Sequence, residues 1–505
     1  MQGPSQYGSL DLHIGMDFSF HLEPDSGVPL YRQIHARLRD LIAAGALRKG
    51  ERLPPTRELA VKLGLNRSTI ASAYALLESD GLIRGHVGRG SFILGAPDSA
   101  PADLDWDRLL APSGSAAPPP VAGPEAISFA TSRPSEDLFP MDDFRRSAEE
   151  VLASPHAAAI LQLGSPAGYG PLRYFLLEEA RREGVERPGD DVLITNGCQQ
   201  ALDLLARVLV RPGDAVAIED PVYPGLRNLF QRAGARLAGV AVGPEGIEPA
   251  ALERVLAETR PRVVVVTSDF QNPTGATLPP EARAAVLAMT RAAGAVLVEN
   301  DIYAGLRYAG APSVPMKRLD DSGHTVLIGS FSKITFPGLR VGWILGPKPL
   351  IARLTEAKQL ADLHTDQLAQ ALLLRFAESG RLAAHHGRIV AAGAERLRAV
   401  IEACERHLPR GTVFTRPEGG MSLWVRLPEP LDAGDLLARA EREGVAYLPG
   451  KYFEVSRRDP GALRLSFADL PPERIRAGVA ILGRVFSSEL ARTRLERYDG
   501  APAIV

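Results

Sequence analysis

The run Ser330-Phe331-Ser332-Lys333, with Arg340 seven residues beyond the lysine in Pro-Gly-Leu-Arg-Val-Gly, carries the strongest chemical signal in the chain. A lysine directly after an apolar strand, among small hydroxyl residues, sits partly out of water. Its pKa falls, and a neutral amine becomes available to condense with an aldehyde. Ser330, Ser332 and Arg340 supply hydroxyl and guanidinium donors suited to a phosphate. A lone Ser-x-Ser-Lys occurs by chance, so its company decides.

Upstream, Thr195-Asn196-Gly197-Cys198-Gln199-Gln200 follows an apolar run and opens the helical stretch 201–208. Free N–H groups of Gly197, Cys198 and Gln199 at a helix start bind phosphate, and Gly197 permits close approach. Taken alone, the segment reads equally as a strand-to-helix turn with no ligand. Asp301 follows the apolar run 295–298 and stands two residues before Tyr303. A carboxylate there either caps the strand end or pairs with a protonated pyridine nitrogen, which would turn that ring into an electron sink.

These residues need a scaffold, and the hydrophobic pattern supplies one. From Ile127 onward, short unalternated runs rich in β-branched residues recur between helical patterns: Val192 to Ile194, Ala215 to Ile218, Val263 to Val266, Ala295 to Val298 and Val326 to Ile328. Such runs fit strands covered on both faces, hence a mainly parallel sheet in an α/β body spanning residues 126–495. Residues 96–125 are rich in Ala, Pro, Ser and Asp, include Ala-Ala-Pro-Pro-Pro, and read as a linker.

Residues 26–95 have the pattern of a small helical head. Apolar positions 30, 34, 38, 41 and 42 form one helical stripe. Thr56 is placed to cap a helix that stops at Gly64, and Asn66 to cap another over Arg67 to Ser79 with Ile70, Tyr74 and Leu77 inward. Two short helices around a glycine turn make a helix-turn-helix, and the Gly-rich stretch 82–93 reads as a two-stranded wing. Between Pro29 and Phe92 there are eleven Lys or Arg against five Asp or Glu, although the whole chain carries a net charge of −2. A basic head on an acidic body points to a polyanion met by the head alone, or else to a merely solvated basic face.

With 505 residues, 45% of them hydrophobic, the chain is long enough for two or three folded units. It has no apolar run of membrane-spanning length and no secretory layout at its start, so a cytoplasmic protein is expected. Its two cysteines, Cys198 and Cys404, have neither disulfide-scaffold nor metal spacing, and no metal site is expected.

The head resembles the GntR-family winged helix, carried by Leu-Pro-Pro-Thr-Arg-Glu-Leu-Ala at 53–60 and Asn-Arg-Ser-Thr-Ile at 66–70. The resemblance implies double-stranded DNA as partner. Asn66, Arg67, Ser68 and Thr69 would stand at the major groove, Arg57 would grip the backbone, and Arg84 and Arg89 of the wing would reach phosphate or the minor groove. The body, over roughly residues 130–490, resembles the fold-type I aminotransferases. That implies pyridoxal 5'-phosphate on Lys333, with Asp301 at the ring nitrogen and Asn272 and Tyr303 bonded to the ring oxygen. It also implies Tyr223 stacked on the ring face and Arg464 clamping a substrate carboxylate. On residue type alone, Tyr223 also reads as core packing and Arg464 as a surface strand residue.

Head, linker and body in this order resemble the MocR/GabR-type regulators. That likeness implies a head-to-tail homodimer in which an amine, an amino acid or the cofactor itself alters DNA binding. Two departures stand out. Phe-Gln-Asn-Pro-Thr-Gly at 270–275 is closer to working aminotransferases, which keeps catalytic transamination, with Lys333 as base, as the second reading. Leu163 occupies the place of a tyrosine expected to donate to the partner subunit's phosphate; that loss is worth about 0.5 to 1.5 kcal/mol, with Tyr169 a possible substitute. A DNA-bound scaffold with an empty pocket is the third reading.

Overall fold

The computed structural model describes residues 10–14, 18–23, 26–86, 90–95, 104, 106–110 and 126–499. The chain divides into two compact units, Met1–Ser113 and Gly114–Val505.

In the first unit, strands β1 (Leu10–Ile14) and β2 (Phe18–Leu22) form an antiparallel hairpin that residue patterning did not suggest. Helices α1 (Leu30–Ala43), α2 (Thr56–Leu63) and α3 (Arg67–Ser79) follow, then the antiparallel pair β3 (Ile83–His86) and β4 (Gly90–Ile93). The apolar stripe works as expected: Ile34, Leu38, Leu41 and Ile42 of α1 close on Ile70, Ala73, Tyr74 and Leu77 of α3 in one core. Gly64 ends α2 in the left-handed conformation, with φ 62°.

Thr56 does not cap α2. Pro55 occupies the cap position at φ −54° and ψ 143°, its ring angle already suiting a helix start, and Thr56 becomes the first helical residue. Asn66 holds the cap position of α3, but its side chain makes no capping bond. Its backbone carbonyl instead accepts from Thr69 N at 3.0 Å.

The second unit is built on an eight-stranded sheet. In chain order its members are introduced after the short strand β5 (Ile127–Ser128): β6 (Asp190–Thr195), β7 (Ala215–Asp220), β8 (Arg236–Gly243), β9 (Gly246–Ile247), β10 (Val263–Val266), β11 (Val296–Asn300), β12 (Thr325–Ser330) and β13 (Gly342–Pro347). The sheet order is β6-β13-β12-β11-β10-β7-β8-β9. The run from β12 through β11, β10 and β7 to β8 is parallel, whereas β13 lies antiparallel between β12 and β6. All residues of β7, β10 and β12 are buried. That is why these strands are unalternated: helices cover both faces, and each large aliphatic side chain removed from water contributes ~1.5–3 kcal/mol.

A smaller antiparallel sheet comprises β14 (Val413–Phe414), β15 (Ser422–Arg426), β17 (Leu448–Pro449) and β18 (Ala462–Ser466), in the order β14-β15-β18-β17. It packs with the helices Arg381–His407 and Pro472–Asp499 around Leu397, Val400, Leu423, Leu463 and Phe486. Strand β16 (Val445–Ala446) pairs in parallel with β5, so the chain at Ile127–Phe129 joins the core of the smaller sheet, where Phe129 is fully buried. Among the described residues no helix is long and apolar enough to cross a membrane.

Candidate functional site

The carboxyl edge of the parallel strands gathers the chemistry, as open α/β sheets require. Pro221 and Tyr223 follow β7, Thr267 and Asn272 follow β10, Asp301 and Tyr303 follow β11, and Ser330 ends β12. A cavity of about 380 Å³ opens there, walled by Lys333, Asn272, Tyr303, Tyr223, Cys198 and Arg464.

Lys333 closes a single helical turn, Phe331–Lys333, directly after β12; the Ser330 hydroxyl accepts from Ser332 N at 3.1 Å and sets that turn. The Lys333 ammonium donates to the Ser132 carbonyl at 3.0 Å and stands 5.5 Å from the centre of the Tyr303 ring. Burial, helped by the Arg464 and Arg340 guanidiniums, lowers its pKa to about 8. An amine so placed is neutral over a much larger share of the physiological range than an exposed lysine.

Asp301 follows Asn300 and precedes Ile302, both of which line the cavity, but is not itself one of the lining residues. Its Oδ1 is buried without a hydrogen-bond partner, and burial, then the neighbouring Glu299 and Asp269 carboxylates, push its pKa well above the ordinary range. Asn272 donates through Nδ2 to the Tyr303 hydroxyl at 3.2 Å and accepts at Oδ1 from Arg464 at 3.0 Å. Arg464 is 4% exposed at the centre of β18, not on a surface; it also donates to the Ala130 carbonyl, its Nε has no partner, and its guanidinium lies 5.0 Å above Phe453. Tyr223 is 40% exposed on the cavity wall, so it is not core packing, and its hydroxyl reaches Gln199 Oε1 at 3.4 Å.

Next to the cavity-lining Cys198, Gly197 opens the helix Gly197–Leu209 with φ 76°, and a Cβ on it would stand 2.6 Å from the Arg340 guanidinium. Only glycine lets that side chain lie across the helix start. Arg340 is itself left-handed at φ 54° and donates to the Asn196 carbonyl at 3.3 Å. Ser332 Oγ is buried with no partner, close to the same turn.

Residue patterning missed the layer behind the helix start. Asp362 accepts from Asn196 Nδ2 and Gln200 Nε2 at 2.6 Å each and from the fully buried Lys358 at 2.7 Å. It also missed the Ala130 and Ser132 carbonyls, because backbone acceptors carry no residue-type signature. Tyr169 packs against the cluster of Leu172 and Leu176 and does not line this chain's own cavity, and Leu163 is 74% exposed.

In the head, Asn66, Arg67 and Ser68 are exposed at the start of α3, Thr69 is half-buried, and Arg57 and Arg84 are exposed. None of these three arginines makes an ion pair among the described residues. Arg89 lies outside the described residues.

With this geometry in place, comparison with known proteins is direct. The family model "Aminotransferase class I and II" matches residues 139–482, and "Bacterial regulatory proteins, gntR family" matches residues 30–93. The chain belongs to the class I and II aminotransferase family and carries a gntR-family DNA-binding domain at its N-terminus. It is 32% identical over 495 residues to the probable rhizopine catabolism regulatory protein MocR of Rhizobium meliloti, covering 95% of this chain and 99% of that one. It is 35% identical to aromatic-amino-acid aminotransferase 1 of Thermococcus litoralis over 73% of this chain and 89% of that one. The crystal structure of a multiple substrate aminotransferase from Thermococcus profundus aligns with a TM-score of 0.71 at 35% identity, over 73% of this chain and 93% of that one. Read over its full length, the chain is therefore a MocR-like helix-turn-helix regulator whose aminotransferase-like body takes pyridoxal 5'-phosphate.

The residues present fit that cofactor. The unpartnered Asp301 Oδ1 suits a protonated ring nitrogen, the unpartnered Ser332 Oγ and the Arg340–Gly197 cradle suit a phosphate, and the Lys333 amine suits an aldehyde.

Proposed function

We propose that this chain is a transcription regulator whose body holds pyridoxal 5'-phosphate at Lys333 and responds there to a primary amine or amino acid. The observation that carries the reading is Lys333 itself. It is a lysine with a lowered pKa, facing a cavity lined by carboxylate- and ring-binding groups, in a chain that also carries a basic DNA-binding head.

When bound, the cofactor supplies an aldehyde and an electron-withdrawing ring. Asp301 holds the proton on the ring nitrogen, Asn272 and Tyr303 orient the ring oxygen, and Tyr223 covers the ring face. Gly197, Cys198, Gln199, Ser330, Ser332 and Arg340 bind the phosphate. Arg464 exchanges its bond to Asn272 for a ligand carboxylate, which its free Nε can help hold.

Asn66, Arg67, Ser68 and Thr69 read the major groove, while Arg57, Arg84 and Arg89 contact the backbone or the minor groove. The protein acts in the cytoplasm as a head-to-tail homodimer. Leu161 at 64%, Leu163 at 74%, Leu360 at 91% and Leu363 at 57% exposure are apolar surface suited to a second copy. Coupling follows if the ligand prefers one arrangement of the dimer, because equal affinity for both would shift nothing.

A mobility-shift assay on the chain's own upstream DNA, with and without cofactor and amines, tests the proposal. Retention that changes with an amine is expected; no retention at low salt overturns it. Transamination is the second reading, supported by the full set Lys333, Asp301, Asn272, Tyr303, Arg340 and Arg464. Conversion of the bound cofactor to its amine form in a single turnover with some amino acid would establish it.

A further inference from the structure

Glu219, near the end of β7, is 1% exposed and makes no ion pair among the described residues. Its carboxyl oxygens serve two separate segments: one accepts from Thr267 N at 3.1 Å, the other from Gln271 Nε2 at 3.3 Å. Gln271 in turn holds the turn that contains Asn272. Its Nε2 donates to the Pro221 carbonyl at 2.8 Å, and its Oε1 accepts from Thr274 N at 3.0 Å and Thr274 Oγ1 at 2.6 Å. On the other side, Thr267 Oγ1 accepts from Asn300 Nδ2 at 3.3 Å, and Asn300 is bonded through the chain to Asp301. Thr267 and Asn300 both line the cavity, and Asn300 Oδ1 is buried without a partner.

We infer that Glu219 is a positioning residue for cofactor binding: one buried carboxyl that fixes the Asn272 turn and the Asn300–Asp301 strand end at the spacing the ring requires. This rests on the cofactor reading above and adds a residue that touches neither ring nor ligand. Asn272 and Asp301 lie on different strand ends, and no direct bond joins them. Their separation is set through Gln271 and Thr267, and both of those end on Glu219.

A filler of the same shape would not serve, because the Thr267 and Gln271 N–H groups donate to separate oxygens of Glu219, which the Thr267 hydroxyl also faces, and they need two acceptors. Glutamine at 219 offers one acceptor and sets its own NH2 against Gln271 Nε2. Burial is the main influence on the carboxyl and raises its pKa to about 8, with the Thr267 and Gln271 bonds acting the other way and no charged neighbour contributing. Protonation takes away one of the two acceptors, so the clamp is complete only in the carboxylate form, above about pH 8.

The experiment uses the full-length chain and compares wild type, Glu219→Gln, Glu219→Ala and Thr267→Val. It reads cofactor Kd, the pH midpoint of the bound cofactor's visible absorbance, borohydride trapping at Lys333 and the melting of the cofactor-free protein. Glu219→Ala is expected to weaken cofactor binding at least roughly tenfold and to move the absorbance midpoint, while borohydride still fixes the cofactor to Lys333 at saturation. Glu219→Gln and Thr267→Val shift both readouts in the same direction by less.

Should Glu219→Ala fail to fold, Glu219→Gln and Thr267→Val decide alone. Wild-type Kd and midpoint in the folded variants overturn the inference. Failure of the wild-type chain to take up cofactor would instead overturn the cofactor reading, and this inference with it.

Discussion

The two units handle charge in opposite ways. In the head, the arginines assigned to recognition are exposed: Arg57, Arg67 and Arg84 face solvent, make no ion pair among the described residues, and stand outside a buried apolar core. In the body, the corresponding groups are withdrawn. Arg464 is 4% exposed, Asp301 and Lys333 have pKa values displaced by burial, and buried polar atoms of Asn300, Asp301, Ser332 and Arg464 lack hydrogen-bond partners. A polyanion is met by charge that water screens, so the head's affinity follows salt. A small molecule is met where water is excluded, so the body's selectivity follows geometry and protonation.

Substitutions should separate the two. Lys333→Ala is expected to abolish covalent trapping of cofactor by borohydride, seen by mass spectrometry of the labelled peptide, while the head's cofactor-independent DNA affinity is kept. Arg67→Ala is expected to do the reverse. Its DNA affinity falls, and the slope of log K against log salt in a titration becomes shallower by about 0.9 per lost phosphate contact, with cofactor uptake unchanged. Asp301→Ala should weaken cofactor binding by about 1.5–3 kcal/mol, the worth of a hydrogen bond to a charged group, measured by equilibrium dialysis.

The pH dependence sharpens the contrast further. Lys333, lowered from 10.5 to about 8, must be neutral to react, so the rate of cofactor loading should climb as pH rises through about 8 and level off above it. Loading that is flat between pH 6 and 9 would contradict the buried geometry. The smallest effect is Leu163→Tyr, which restores a hydroxyl at the exposed edge. It should tighten cofactor binding by about 0.5 to 1.5 kcal/mol in the dimer and leave a monomer unaffected.

What residue patterning revealed divides along a physical line. Unalternated runs such as Val263–Val266 are strands because both their faces are covered, and the stripe of α1 is helical because its period is 3.6. Both are local facts. Lys333 could be placed beside a cavity because residue type and spacing suggest its chemistry, and the roles of Asp301 and Arg340 are proposed on the same ground. The antiparallel insertion of β13, the pairing of β5 with β16 and the hairpin of β1 and β2 were not, since strand partners are chosen by distant contacts. Thr56 was misread for a local reason: a proline before it already satisfied the geometry of a helix start. Glu219 and Asp362 were invisible because single acidic residues acquire meaning only from the donors brought to them.

The pairing of β5 with β16 has a mechanical side. The body's chain is moored at Ile127 and Ser128, and within four residues it offers the Ala130 and Ser132 carbonyls as handholds for Arg464 and Lys333. A ligand that engaged that guanidinium and that amine would compete with these two carbonyls for the same donors, so filling the cavity would loosen the backbone's hold just past the mooring.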